Sequence, residues 1–262
     1  MRRWADRFFE LKSWFRHIML ASGPHGVHSP FVFDILTKFS HSDQKASCSS
    51  LRELRGSMLR DQRIIEKMDL GTGSSGLTRV REIAKRSCQP IHHALFMGWL
   101  SHHLESKHLL ELGSSIALST SALAKLNPSA SVTSVEGCEQ TALIASENLQ
   151  RMQVRNVELV CSDAKRFLEK PNVDLTDVDF VFIDCNHTYE ATLEYFYELR
   201  KLPSKNLALI FDDIYWSREM NAAWKRMLQL NCFDLSIDFF HFGILMRREG
   251  KRPENFRLRL PV

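Results

Sequence analysis

The residues best equipped for chemistry sit where short apolar runs give out. In DFVFIDCNHTYE the run ends at Asp184, with His187 one helical turn further on, and in ALIFDDIYWS it ends at Asp212 and Asp213. If the two runs are neighbouring strands, three carboxylates converge on one rim of a sheet. Carboxylates gathered that closely repel one another unless a cation neutralises them. Mg²⁺, Mn²⁺ or Ca²⁺ accepts such oxygens and keeps positions for water or substrate. Asp184, Asp212 and Asp213 are therefore the expected metal ligands, and an ionisable cluster at the mouth of a buried strand points to function.

Three earlier strand ends carry a second set of polar residues. HLLELGSSIALSTSALAKL reads as an apolar strand ending at Glu111, a turn through Gly113, and a helix rich in small residues. VTSVEG places Glu136 at the end of the next strand, where an acid can accept hydrogen bonds from both hydroxyls of a ribose. A glutamate merely at the surface end of a strand is the alternative. The third strand ends in Cys161-Ser-Asp163-Ala, where Asp163 is also a fitting N-cap for the following helix. Gly71-Thr-Gly73-Ser-Ser-Gly76 formally matches GxGxxG, but the IIEKMD before it is short and charged. A phosphate-cradling loop needs a buried strand there, so a flexible flap is the simpler reading.

Short apolar runs alternating with amphipathic stretches must position these residues, the signature of a parallel sheet covered by helices. Strands are expected at His108–Leu112, Ser131–Glu136, Val157–Cys161, Asp179–Ile183 and Leu207–Phe211. Two further runs, Phe233–Phe242 and Ile244–Arg247, have only Gly243 as a turn residue between them and imply an antiparallel hairpin. The expected fold is α/β: a Rossmann-like, doubly wound, mostly parallel sheet with a C-terminal antiparallel hairpin and an N-terminal helical extension. Residues 1–90 would form the extension and 91–262 the catalytic domain.

These motifs resemble those of class I S-adenosylmethionine-dependent methyltransferases. ELGSS is similar to their first motif, in which Glu or Asp opens the loop and glycine lets the backbone approach the cofactor; Ala117 stands where a further glycine is common. The resemblance implies S-adenosylmethionine as cofactor, held by Glu111, Gly113, Ser114, Ser115 and Ser119 around the first loop. Glu136 and Gly137 would follow at the second strand and Asp163 with Ala164 at the third, the aspartate accepting from the adenine amino group. DFVFIDCNHTYE resembles the FIDGDHSYE-like segment of metal-dependent O-methyltransferases. In that group the metal, here Mg²⁺ or another divalent cation, holds the acceptor hydroxyl, and a lysine three residues beyond the first metal-binding aspartate removes its proton. The matching position is His187, so Asp184 and His187 are the expected catalytic pair. A metal contact from Asn186 or His187, or His187 capping the helix that starts near Thr188, stays open. HGVHSP, with His25 and His28, together with the Gly71–Gly76 loop, resembles the N-terminal region of a bacterial methyltransferase group.

Composition narrows the partners. The chain has 262 residues and is 44% hydrophobic, enough for one sizeable core and an accessory piece. With 35 Lys+Arg against 31 Asp+Glu it is only mildly basic. No basic stripe with interleaved aromatics accompanies the site, which favours a small-molecule methyl acceptor over nucleic acid. Tyr189, Tyr215 and Trp216 could line an organic pocket or pack beneath loops. His92, His93, His102 and His103 read as polar positions on a helix rather than metal ligands. Six scattered cysteines read as reduced thiols, and no secretory signal or transmembrane run is expected, all consistent with a cytoplasmic protein.

Residues 1–20 form an expected helix with Trp4, Phe8, Leu11, Phe15 and Ile18 in one stripe. Packing on its own domain, pairing in a homodimer, or lying on a membrane would each cover that stripe; packing is the simplest. Residues 40–63 read as a linker running into an exposed helix. Two rival functions remain: a catalytically degenerate methyltransferase-fold binder, suggested by Ala117 and the missing lysine, and a nicotinamide-dependent oxidoreductase using Gly71–Gly76, which the C-terminal hairpin disfavours.

Overall fold

The computed structural model describes residues 4–42, 45–69, 74–248 and 250–260. The chain divides into two compact units, His41–Val173 and the combination of Met1–Ser40 with Asp174–Val262.

In the unit His41–Val173 the helix α3 spans Lys45–Arg60. The strands β1 (Ile64–Asp69) and β2 (Ser74–Arg79) follow, paired antiparallel, and then α4 (Val80–Arg86) and α5 (Ile91–His103). The region before residue 90 thus contains strands as well as helices. The parallel strands β3 (His108–Leu112), β4 (Ser131–Glu136) and β5 (Val157–Cys161) alternate with α6 (Leu118–Leu126), α7 (Glu139–Arg151) and α8 (Ala164–Glu169). All three strands fall where the apolar runs place them. In β3 only His108 is exposed, the burial expected of a strand covered on both faces.

One reading of this unit needs correction. The helix α3 is not an exposed element: Leu51, Leu54 and Met58 are buried and pack with Ile65, Val80, Ile83 and Ile116. Burial of each such side chain stabilises by about 1.5–3 kcal/mol, which outweighs the polar character of the rest of the helix. The Gly71–Gly76 stretch, read above as a flexible flap, falls only partly within the described residues. Gly71, Thr72 and Gly73 lie outside the described residues, and Ser74, Ser75 and Gly76 begin β2, with Asp69 opposite Ser74.

In the other unit, α1 (Trp4–Leu20), a short 3₁₀ turn at Pro24–Gly26 and α2 (Pro30–His41) precede β6 (Phe180–Ile183). Next come α9 (Tyr189–Leu199), β7 (Ala208–Asp212), α10 (Arg218–Gln229), β8 (Leu235–Asp238), β9 (Phe242–Met246) and β10 (Glu254–Arg257). The order is β10-β8-β9-β7-β6: β6 and β7 are parallel, β9 is antiparallel to β7 and β8, and β10 is parallel to β8.

The C-terminal hairpin is present, but Gly243 is not its turn. Gly243 sits inside β9, opposite Phe211 and Asp238, and the turn falls at residues 239–241. A Cβ at Gly243 would lie 2.6 Å from the Trp224 ring, so close approach of the α10 indole, not backbone reversal, requires glycine there. The α1 stripe is also not packed within the chain. Trp4, Phe8, Leu11 and Phe15 are exposed, and the helix buries Asp6 and His17 instead. The fold is therefore Rossmann-like α/β with mostly parallel strands, a C-terminal antiparallel hairpin and N-terminal helices.

Candidate cofactor loop and catalytic rim

The loop after β3 is built around two carboxylates, one fully buried and one half-buried. Glu111, fully buried, accepts hydrogen bonds on Oε2 from the hydroxyls of Thr120 on α6 and Ser134 on β4. It pins the helix and the neighbouring strand to the loop base. The chain then passes through three left-handed residues, Gly113 at φ 99°, Ser115 at φ 49° and Ala117 at φ 63°. Only the first is glycine. For an L-residue that region costs about 1–2 kcal/mol, so the absence of glycine at 115 and 117 makes this a strained loop held by its surroundings. The strain at Ala117 gives a physical meaning to the glycine common at that position.

Glu136, at the end of β4, closes the loop. Its Oε2 accepts the backbone N–H of Ser115 at 2.8 Å, and its Oε1 accepts the N–H of Cys138 at 2.9 Å. Burial pushes its pKa above the ordinary carboxylate value, although those N–H groups and the charge of Lys67 pull it back down. The carboxylate is thus a strand-end acid with a structural task. Each oxygen retains acceptor capacity for a further donor such as a ribose hydroxyl.

Around it, the Ser114 and Ser115 hydroxyls are buried with no hydrogen-bond partner among the described residues, and Ala117 caps α6 without a side-chain hydrogen bond. Buried hydroxyls normally find partners, so a polar ligand at this loop would supply what the protein does not. The donor set fits an adenosyl cofactor: acceptors for ribose at Glu136, and loop hydroxyls and helix-terminal amides for its polar tail. Ser119 is buried in the first turn of α6, and Gly137 is half-buried beside Glu136.

Asp163 behaves as the N-cap alternative: its Oδ1 accepts the N–H of Arg166 at the start of α8. Ala164 is the buried first residue of that helix.

One contributor escaped the sequence reading. The Cys138 thiol lies 3.5 Å from both the Met68 N–H and the Glu66 carbonyl, and Gln140 accepts the Glu66 N–H at 2.7 Å. The strand β1 therefore lies against the loop that carries Glu136. The charged IIEKMD gave no hint of this, because the contacts are to backbone groups and leave no pattern in side-chain type.

In the other unit, Ile183 and Phe211 are paired, so Asp184 and Asp212 leave β6 and β7 at the same rim. The three carboxylates nevertheless do not assemble as expected. Among the described residues no three His, Cys, Asp or Glu side chains gather in a set that could hold a metal ion. Asp212 is the buried last residue of β7, Asp213 follows in a left-handed backbone conformation at φ 55°, and Asp184 Oδ1 lies 3.4 Å from His187 Nε2. The residues at this rim do not fit Mg²⁺ or another divalent cation as a three-carboxylate centre.

His187 is not the cap of α9. Thr188 is, its hydroxyl accepting the Ala191 N–H. This leaves the imidazole part-exposed, with Asp184 on one side and the Trp216 ring 6.5 Å away. A carboxylate beside one ring nitrogen orients a histidine for proton transfer through the other. Asn186, in a left-handed conformation, donates its amide to the Tyr195 hydroxyl and holds the loop. Tyr215 stacks on Phe240 at 5.0 Å and donates its hydroxyl to Asp238 Oδ2 at 2.8 Å. Burial and the adjacent Asp238 charge raise its pKa.

A family described as "Methyltransferase domain" matches residues 110–214, the stretch from β3 to the turn after β7. A comparison with curated proteins found no match. Among solved structures, an O-methyltransferase from Bacillus cereus in complex with SAH is 20% identical, with a TM-score of 0.55 over 76% of this chain and 89% of that one. SAH-bound methyltransferase PaMTH1 from Podospora anserina is 16% identical, with a TM-score of 0.56 over 78% and 93%. A putative O-methyltransferase from Klebsiella pneumoniae is 17% identical, with a TM-score of 0.53 over 62% and 83%. The fold is that of the class I methyltransferases, and within it residues 110–214 match a methyltransferase domain.

Proposed function

We propose that this protein transfers a methyl group from S-adenosylmethionine to a hydroxyl oxygen of a small organic molecule. One observation carries the reading: Glu136 ties the loop of Gly113–Ser115 to the end of β4 while the Ser114 and Ser115 hydroxyls stay buried and unpartnered. We assign residues 91–262 to the methyltransferase domain and 1–90 to an N-terminal extension, in a cytoplasmic protein.

The cofactor, when bound, supplies an electrophilic methyl on a sulfonium. The chain's own residues do the rest. Glu111 fixes the loop base, and Glu136 accepts from ribose. Asp163 caps α8 through Oδ1, and its second oxygen accepts from the adenine amino group. His187, oriented by Asp184, takes the proton of the acceptor hydroxyl as the O–CH₃ bond forms and the S–CH₃ bond breaks. The protein's main contribution is alignment, which can supply about 7–11 kcal/mol of the barrier in favourable cases. Because Asp184, Asp212 and Asp213 do not form a cation site, no step is routed through a metal.

The test is transfer of labelled methyl from S-adenosylmethionine to a panel of phenolic and aliphatic hydroxyl compounds, followed by mass analysis of the site modified. Label on oxygen supports the reading. Label on nitrogen or carbon only would contradict it. Tight cofactor binding with no turnover on any acceptor would favour a catalytically silent binder, for which strain at Ala117 is the supporting observation.

A further inference from the structure

We propose that α1 docks the protein on an anionic lipid surface. The helix is amphipathic in the reverse sense to an ordinary surface helix. Its inward side carries Asp6 and His17, both buried, whereas Trp4 is 84% exposed, Phe8 68%, Leu11 53%, Phe15 58% and Met19 82%. Single exposed apolar residues are ordinary on a soluble protein, but five on one helix face form a contiguous patch that water alone does not account for.

This outward face is held in place. His17 sets its ring nitrogens 3.3 Å from Asp238 Oδ1 and 3.1 Å from the Leu258 carbonyl, and Arg259 donates to the Ile18 carbonyl at 2.8 Å. The polar inner face thus fastens α1 to β8 and the segment after β10, and the apolar face is presented as a fixed feature.

Charge selects the occupant. Arg7, Lys12 and Arg16 are the exposed charged residues of α1, whereas its two acids, Asp6 and Glu10, are buried and half-buried. At 100° per residue, Arg7 falls on one edge of the apolar stripe and Lys12 and Arg16 on the other. Tryptophan and phenylalanine flanked by cations is the composition of a helix lying in a headgroup layer, where rings enter the acyl boundary and cations meet anionic phosphates. A second copy across a two-fold axis would instead bring two cation-edged patches together. No described helix is long and apolar enough to cross a bilayer, so the contact is interfacial.

The test is co-sedimentation of the full-length protein with vesicles of phosphatidylcholine alone and of phosphatidylcholine mixed with phosphatidylglycerol, with solution mass measured in parallel. Binding is expected to the anionic vesicles only. It should fall by about a hundredfold for the triple variant Arg7→Glu, Lys12→Glu, Arg16→Glu. It should also be lost for Phe8→Ser, Leu11→Ser, Phe15→Ser, whose wild-type side chains are exposed and whose loss should leave the melting temperature unchanged. Absence of binding to anionic vesicles would overturn the proposal. So would equal binding to both vesicle compositions, or binding that survives the serine substitutions. A dimer that the serine variant dissolves, without vesicle binding, would assign the face to a second copy instead.

Discussion

Glu136 Oε2 accepts the backbone N–H of Ser115 at 2.8 Å, tying the end of β4 to the strained loop that follows β3. Together with the Cys138 N–H on Oε1, this contact makes one side chain both the brace of the loop and the acceptor proposed for the cofactor ribose.

Glu136→Gln removes the charge and leaves a single acceptor oxygen for two backbone donors. Hydrogen bonds to a charged group contribute about 1.5–3 kcal/mol, so affinity for S-adenosylmethionine should fall roughly tenfold to a hundredfold. Calorimetry on the variant measures this. An unchanged affinity would remove Glu136 from the cofactor site.

His187 should act on turnover and not on cofactor binding. Loss of a positioned base typically costs about 10²–10⁴ in rate, so His187→Asn should lower kcat by that order while the dissociation constant for S-adenosylmethionine stays constant. Asp184→Asn should give a smaller loss, because Asp184 orients the ring and does not touch the proton transferred.

Asp238 supports the fold from a distance. Burial pushes its pKa up, but His17, the Phe240 N–H and the Tyr215 hydroxyl together hold it below the ordinary 3.8. A carboxyl with a depressed native pKa contributes stability that is present above the unfolded value and is lost as pH falls from there through the native value. Asp238→Ala should therefore destabilise by about 3–5 kcal/mol at neutral pH, since His17 and Arg257 lose a buried partner. The difference between variant and wild type should shrink below pH 4. Urea unfolding at pH 7 and pH 3 measures both.

The sheet was legible because its strands are short apolar runs bounded by turn residues; β3, β4 and β5 fall on the residues where those runs lie. Glu111, Gly113 and Glu136 were legible for the same reason, each ending such a run. Contacts made across the chain by backbone groups were not. Nothing in the type of Ser115 or Cys138 says that its N–H meets Glu136. The same holds at Gly243, where the requirement comes from Trp224 in another element and not from a local turn.

Periodicity also failed to say which way a face points. The stripes of α1 and α3 have similar spacing, yet Leu51, Leu54 and Met58 go inward while Trp4, Phe8 and Phe15 go outward. The difference lies in the polar side of α1, where buried His17 meets Asp238 and the Leu258 carbonyl. The carboxylate rim shows a related limit. Strand pairing did bring Asp184 and Asp212 to one edge, but the left-handed backbone at Asp213 and the contact of Asp184 with His187 leave no pattern in residue type.

The most direct test of the central claim is titration calorimetry of the purified protein with S-adenosylmethionine, S-adenosylhomocysteine and NAD, each with Mg²⁺ and with chelator. The account predicts binding of the first two in the micromolar range, no binding of NAD, and no change on chelation, because the Glu111–Glu136 loop is built without the Asp184, Asp212 and Asp213 carboxylates. Binding of NAD in preference, or no response to either adenosyl compound, would contradict it.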